Sequence, residues 1–533
     1  MLTQGVSTLG RRQVGEWALH SKREYRNPFA DVRVEGVFEA PSGERAIVPG
    51  FYDGDGLWKV RFNPGVGGVW RWRILSTPRD PELEAQGELH VVLGAARGYL
   101  QATPGRAWGL HFESGAPVFI LGDTTYNLFG MAHCGGDVEG FMERRVAQGF
   151  NLLRVRLPVS PFHPPKGYSE WQTRRTWPWG GSEQKPLFDR FDLPYFATVD
   201  RVVQKAEALG LGLEMIMEAW GFEYPFNRRD VFVPEWEELW LRYLLARYDA
   251  YNCVFFWTLM NEYEYYPDGD WRYNPVADRW AMRMARWVKA RAPHGHIVSV
   301  HNGPREPRFA ERFALDPGAV DAIMFQDWGT RDAERGWLAA GIERQIQNSL
   351  YGWQGAAVFA EWGYERNPAL PLNIPSHEFC DEEHTRRGAW RGAFCGLGII
   401  HGFENSWGPF MDLAHDQPGL VYLQYVKKFF TEIVPFALLR PAPELVTLPG
   451  EEALGEAPLA LATADRSTIV FYLPVGGPIA LDMAGEPAAY TAQWYNPCTG
   501  ELGPASAAMG VLEAPRVERK GHPQDWVLLL RRS

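Results

Sequence analysis

A chain of 533 residues is longer than one ordinary hydrophobic core accommodates, so several domains, one of them large, are expected. With 46% hydrophobic and 22% charged residues the composition matches soluble globular proteins, which excludes a fibrous or wholly disordered chain. A formal net charge of -11 repels phosphate backbones and anionic lipid surfaces, so neither nucleic acid nor a membrane is an expected partner.

The opening MLTQGVSTLGRRQVGEW has no apolar segment ahead of its arginines, and no run of about 18 apolar residues occurs anywhere, so the expectation is a cytoplasmic protein. Five cysteines, Cys134, Cys253, Cys380, Cys395 and Cys498, never stand in C-x-x-C spacing and read as reduced thiols. From Trp17 to Val92, short alternating runs are broken by PSG, DGDG and NPGVGG; this spacing predicts an antiparallel β-sandwich over residues 1–98.

From Val118 the period changes, and apolar strand-like runs alternate with longer helical patterns. Eight strands are predicted: VFILGD ending at Asp123, NLLRVRL at Leu157, LGLEMIM at Met217, VFFWTLM at Met260, HIVSVH at His301, AIMFQ at Gln326, AAVFA at Ala360 and GIIHGF at Phe403. Helical segments such as EWEELWLRYLLARYD carry apolar residues at i, i+3, i+4 and i+7. The fold class is therefore α/β, with a (β/α)8 TIM barrel over residues 99–440 whose active site lies where the strands end. A doubly wound open sheet is the rival, but no glycine-rich phosphate loop follows the first strand. Beyond Arg440 the proline-rich RPAPELVTLPG reads as a linker, and STIVFYLP, YTAQWYNPCTGE and DWVLLLR as strands of a second β-sandwich over residues 441–533.

Asn261-Glu262 stands at the end of the fourth strand and Glu361 at the end of the seventh. Alone, Asn-Glu could equally cap the next helix. Three strands apart around a ring of eight, however, the two acids face each other across the barrel mouth. Facing carboxylates are what glycosidic cleavage requires: one protonates the departing oxygen, and the other attacks the anomeric carbon or activates water. That chemistry needs no cofactor and no metal. His294 and His296 in HGH lack a third ligand at metal spacing, and no G-x-S-x-G elbow occurs.

Period two puts Arg154 and Arg156 on one face of the second strand. Glu214 and Glu218, sharing a face of the third, predict an ion-pair network for Arg154, while Arg156, nearer the mouth, is expected to hold Glu361 or to touch substrate. Asp123 could accept two sugar hydroxyls or cap a helix. His301 and Gln326 stand in equivalent positions after the fifth and sixth strands. A long connection from Pro158 to Pro194 carries Trp171, Trp177 and Trp179, and Trp220, Trp362 and Trp407 lie at other strand ends; these rings could floor a sugar site or pack the core.

With Asn261-Glu262 after strand four and Glu361 ending strand seven, the chain resembles the clan A glycoside hydrolases. APVFILGDTTYNLF, GFNLLRVRL and FDLPYFATVDRVVQKAEALGLGLEM resemble the apiosidase-like hydrolases over roughly residues 99 to 440. Residues 10 to 95 look like the β-sandwich often preceding such barrels, and FYLPVGGPIALDM, WYNPCTGE and DWVLLL resemble a collagen-binding-type β-module. The resemblance implies a retaining hydrolase with Glu262 as acid/base and Glu361 as nucleophile, their carboxyl groups roughly 5 to 5.5 Å apart. It implies a furanoside-directed, exo-acting enzyme. By their positions at the strand ends and in the long connection, Asn261, Asp123, Arg156, His301, Gln326, Trp220, Trp407 and Trp177 are the substrate-binding candidates. The clan commonly places His or Tyr after strand six against the nucleophile; Gln326-Asp327-Trp328 departs from that pattern. A carbohydrate is the expected partner and a homo-oligomer stays open. An endo-acting glycanase and a non-catalytic carbohydrate-binding protein are the alternatives.

Overall fold

The computed structural model describes residues 2–4, 6–105, 108–158, 176–270, 272–303, 309–327, 342–366, 380–403, 413–446, 457–480 and 489–533. Its centre is a closed parallel barrel of eight strands. These are β1 (Leu121–Thr124), β2 (Leu152–Arg156), β3 (Gly212–Trp220), β4 (Val254–Asn261), β5 (Ile297–His301), β6 (Ala322–Gln326), β7 (Ala356–Glu361) and β8 (Gly398–His401). The circle closes where β1 pairs with β8, Leu121 against Ile399 and Asp123 against His401. Apart from a half-buried Ala357, every residue of these strands is buried, as expected of parallel strands covered on both faces.

Alternation decides what each strand offers the interior. On β2, Leu153, Val155 and Leu157 pack outward in the cluster shared with the helices, leaving Arg154 and Arg156 inside. On β6 and β7, Ala322, Met324, Ala356, Val358 and Ala360 fill the barrel interior while Phe359 packs outward. Strict alternation would send Glu361 outward after Phe359. The register shift between Phe325 and Gln326 prevents this, pairing Phe325 with Phe359 but Gln326 with Glu361, so both polar residues share the inward face at the mouth.

The N-terminal unit is an antiparallel sandwich in which Arg45–Tyr52 pairs with Arg33–Glu39 in one sheet and with Leu57–Phe62 in the other. Gly50 sits where that strand crosses over; a Cβ there would meet the carbonyl oxygens of Lys59 at 3.0 Å and Val34 at 3.1 Å. Trp17, Phe38, Trp58, Phe62 and Trp72 fill the space between the sheets. Its join to the barrel combines aromatic contacts of Phe29 and Phe51 with Tyr243 and a set of ionic ones. Arg61 donates to Asp200 (2.6 Å) and to the Arg247 carbonyl (2.7 Å), and Arg247 in turn reaches Asp53 (2.9 Å).

The C-terminal unit is built on a seven-stranded sheet whose first strand, Leu439–Pro441, overlaps the start of the stretch read from sequence as a linker. That segment pairs with Leu459–Thr463, Leu439 against Thr463, because ladder bonds can form on either side of its proline. Trp390 of a barrel helix stacks on Tyr472 with centroids 6.0 Å apart, and buried Arg386 bonds both Glu383 and Asp525. No described helix is long and apolar enough to cross a membrane.

Candidate active site

Below the mouth lies a buried polar layer. Thr258 donates to Glu214 at 2.9 Å and shares a 2.7 Å hydrogen bond with Ser299, and Arg154 donates to Glu214 at 3.3 Å. In-register pairing of Arg154 with Glu214 puts these groups at one level. From there the Arg154 guanidinium reaches up to Glu361 Oε2 (3.2 Å) and Asn261 Oδ1 (2.7 Å). Tyr126 closes the group, its hydroxyl donating to Asn261 Oδ1 at 3.1 Å and lying 3.5 Å from Glu361 Oε2. Asn261 is thereby oriented through its oxygen, and its Nδ2 is buried with no hydrogen-bond partner among the described residues.

Glu262 and Glu361 meet through one amide. Gln326 Nε2 donates to Glu262 Oε1 at 3.2 Å and also to Glu361 Oε1. A single nitrogen within bonding reach of both keeps those two oxygens within roughly 6.5 Å of each other. Gln326 is itself fixed by Asn302, whose Oδ1 accepts from the Gln326 backbone N–H (2.8 Å) and whose Nδ2 donates to the Gln326 carbonyl (2.9 Å). Gln326 thus occupies the place expected of a histidine or tyrosine.

Glu262 lies just past β4 with φ +50°, a left-handed backbone conformation that is strained for a residue with a Cβ. Its backbone N–H donates to His301 Nδ1 at 3.3 Å, so the proton of a neutral His301 sits on Nε2, 3.7 Å from Glu361 Oε2. Burial, with the Arg154 charge adding to it, holds the His301 pKa well below the ordinary histidine value. Burial first and the Glu361 charge second push the Glu262 carboxyl up to about 8, against the pull of the Gln326 hydrogen bond. Glu262 Oε2 has no hydrogen-bond partner among the described residues.

The contact with Glu361 expected of Arg156 is made by Arg154, while Arg156 pairs with Glu223 (3.2 Å) and lies between the rings of Tyr126 and Trp220, 4.8 and 4.5 Å from their centroids. Alternation settles the face but not the depth: Glu361 hangs at the level of Arg154, and the loop after β3 brings Glu223 over Arg156. Of the partners foreseen for Arg154, Glu214 is one, but Glu218 pairs with Arg229 at 2.6 Å.

Asp123, expected to receive sugar hydroxyls or cap a helix, does neither. Its Oδ2 accepts from Arg145 (2.6 Å) and its Oδ1 lies 3.3 Å from His401 Nδ1, while His401 Nε2 is 3.2 Å from Glu365. Burial pushes the Asp123 carboxyl up, yet Arg145 and His401 together hold it below its ordinary range. The residue is only 1% exposed and belongs to a buried network beneath β1, β7 and β8.

Trp220 lies beside Asn261 in the β3–β4 pairing and stacks on Phe222, with centroids 5.0 Å apart. Trp177, half-buried, stacks on Tyr224 at 6.0 Å, and Trp179 is fully buried. Trp362 packs on Phe359. Trp407, Trp171 and Trp328 lie outside the described residues. His294 and His296 are held by Asp249, through its carboxylate (2.8 Å) and its carbonyl (2.6 Å) respectively. Among the described residues no group of three or more histidine, cysteine or acidic side chains is arranged so that it could hold a metal ion.

Tyr126, Tyr364 and Glu223 escaped sequence reasoning. Tyr126 and Tyr364 each stand three residues beyond a carboxylate at a strand end, in DTTY and EWGY, the only signal that could have marked them. Both join Trp220 and Ile216 in one small buried cluster.

Comparison with known proteins agrees with this architecture. The family model described as "Apiosidase-like, catalytic domain" matches residues 108–433, more than half of the chain. Residues 9–77 match a domain of unknown function, DUF5060, and residues 449–531 match the "Putative collagen-binding domain of a collagenase". No curated protein sequence matches the chain. A crystal structure named a "putative glycoside hydrolase" from Bacteroides vulgatus is similar with a TM-score of 0.70 at 16% identity, over 99% of this chain and 100% of its own. A glycoside hydrolase family 5 structure from the same organism is similar with a TM-score of 0.58 at 18% identity, over 82% of this chain and 93% of its own. A third structure, named only a glycoside hydrolase, has a TM-score of 0.59 at 18% identity, over 82% of this chain and 97% of its own. The likeness to these structures is one of fold, a TIM barrel flanked by two β-rich units, and the matched model settles the family: this chain belongs to the apiosidase-like family.

Proposed function

We propose that this protein is a retaining glycoside hydrolase, exo-acting on a furanoside, with Glu262 as acid/base and Glu361 as nucleophile. The observation that carries the reading is the Gln326 amide bonded to both acids, which supports a separation short enough for direct attack and too short to seat a water comfortably between them. A carboxyl pushed to about 8 holds its proton at neutral pH, and Glu262 Oε2, without an acceptor among the described residues, can present that proton to a departing glycosidic oxygen.

In the first step a Glu361 oxygen forms a bond to the anomeric carbon as the bond to the leaving oxygen breaks, and the Glu262 proton passes to that oxygen. In the second step Glu262, now a carboxylate, takes a proton from water, whose oxygen bonds the anomeric carbon and releases Glu361. Arg154 and Tyr126 stabilise Glu361 as it regains its charge, and Asn261 Nδ2 is a donor for the hydroxyl beside the reacting carbon. The furanoside and the exo action rest on family membership.

A panel of aryl furanosides and pyranosides, with NMR of the first-formed anomer, tests this. Retention of configuration is expected, with Glu361→Ala inactive throughout and Glu262→Ala rescued by azide on substrates with good leaving groups. Inversion would overturn the assignment of Glu361 as nucleophile, and equal inactivity of wild type and Glu361→Ala would make carbohydrate binding the better reading.

A further inference from the structure

Away from the barrel mouth, a groove of about 600 Å³ runs between the N-terminal sandwich and two barrel helices, Pro234–Tyr248 and Pro275–Lys289. Trp236 and Trp287, both half-buried, line it, with the Arg291 guanidinium 4.3 Å from the centre of the Trp287 ring. Arg33 of the sandwich and Arg242 of the first helix line the groove together, and both also line an adjoining cavity of about 30 Å³.

Neither Arg33 nor Arg242 forms an ion pair or side-chain hydrogen bond with a described residue. Elsewhere at this junction arginines are fully engaged, as Arg61 and Arg247 are by Asp200. Burial and then the Arg33 charge pull Arg242 below its ordinary value, and Glu35 offsets this only in part. Glu235 and Glu238 are exposed members of the same lining. Arg242 is half-buried and Arg33 exposed, Glu35 lines the groove beside them, and with neither arginine ion-paired to a described residue the two converging cations gain from an anion that joins them. Indole faces alongside suit the C–H face of a sugar ring.

We propose that this groove is a second saccharide site that binds a carboxylate-bearing sugar, a uronate residue, with the carboxylate between Arg33 and Arg242 and the ring against the tryptophans. It rests on the glycoside hydrolase reading only in taking the ligand to be part of a glycan.

The test is calorimetric titration of the full chain carrying Glu361→Ala with a galacturonate oligomer, its methyl-esterified form and inorganic sulfate. The acid oligomer should bind at least tenfold more tightly than the ester, weaken with salt, and lose at least tenfold on adding Arg242→Gln or Arg33→Gln, with a smaller loss for Trp236→Ala. Without the Glu361 change, Arg242→Gln should leave turnover of a small aryl glycoside unchanged, which shows an intact fold. Equal binding of acid and ester, or binding indifferent to both arginine variants, would overturn the proposal. Sulfate binding as tightly as the oligomer would also overturn it, leaving an anion site only. Because no turnover is read in the titration, failure here leaves the catalytic assignment standing, and failure of catalysis leaves this binding measurable.

Discussion

Replacing Glu262 with glutamine should stabilise the protein by an amount that grows with pH. In the folded chain this carboxyl titrates at about 8 against an ordinary value of 4.5, with burial the larger cause and Glu361 the second. Above 4.5 the unfolded chain releases the proton while the folded chain keeps it, so stability falls as pH climbs towards 8 and levels off beyond. At about 1.4 kcal/mol per pH unit, the penalty is roughly 0.7 kcal/mol at pH 5 and roughly 3 kcal/mol at pH 7. Glutamine has no such proton to lose. For a cooperative unit of about 330 residues, a 2–3 kcal/mol gain corresponds to a melting temperature higher by about 3–4 °C. Scanning calorimetry of wild type and Glu262→Gln at pH 5, 6 and 7 reads the difference directly. A gap that stays constant with pH, or a variant less stable at pH 7, would refute the claim that Glu262 is buried and protonated.

The same titration sets the basic limb of the rate profile: kcat/KM should fall as pH rises through about 8, and Gln326→Leu, which removes a hydrogen bond favouring the ionised form, should move that limb to higher pH. Arg154→Met should lower kcat/KM by about 10²–10³-fold, since charge-assisted bonds to both Glu361 and Asn261 are lost. Arg156→Met, which removes a buried ion pair to Glu223 and the guanidinium between the Tyr126 and Trp220 rings, should affect thermal stability more than rate; steady-state kinetics and melting curves on both variants separate the two. His401 is raised to about 9: burial opposes its charge, but Asp123 and Glu365 outweigh it. Its stabilising contribution is complete below the ordinary value of 6.5 and lost as pH rises through 9, so melting temperature should drop between pH 7 and 10, and less steeply in His401→Gln.

Much of this was legible because parallel barrel strands announce themselves. VFFWTLM and AIMFQ are continuous apolar runs buried on both sides, and the change to polar residues at Asn261 and Gln326 marks where the barrel opens. What alternation cannot convey is height along the barrel axis, which strand stagger and bulges control. That is why Arg154 and Arg156 were placed on the right face while Glu361 was assigned to Arg156 instead of Arg154, and why the register shift that turns Glu361 inward left no trace in AAVFAEW. Asp123 was misread for a related reason. A carboxylate at a strand end looks alike whether it faces substrate or a buried arginine from the next helix, and Arg145 is visible as its partner only once that helix is packed. Tyr126 and Glu223 lie in connections whose path no periodicity describes.

Mechanism-based labelling tests the central claim most directly. An activated 2-deoxy-2-fluoro glycoside of the preferred sugar should stall the reaction after the first step and leave one glycosyl group on the protein. Peptide mapping by mass spectrometry should find it on the AEWGYE segment, esterified to Glu361. A label on any other carboxylate, Glu262 and Glu365 included, would contradict the account.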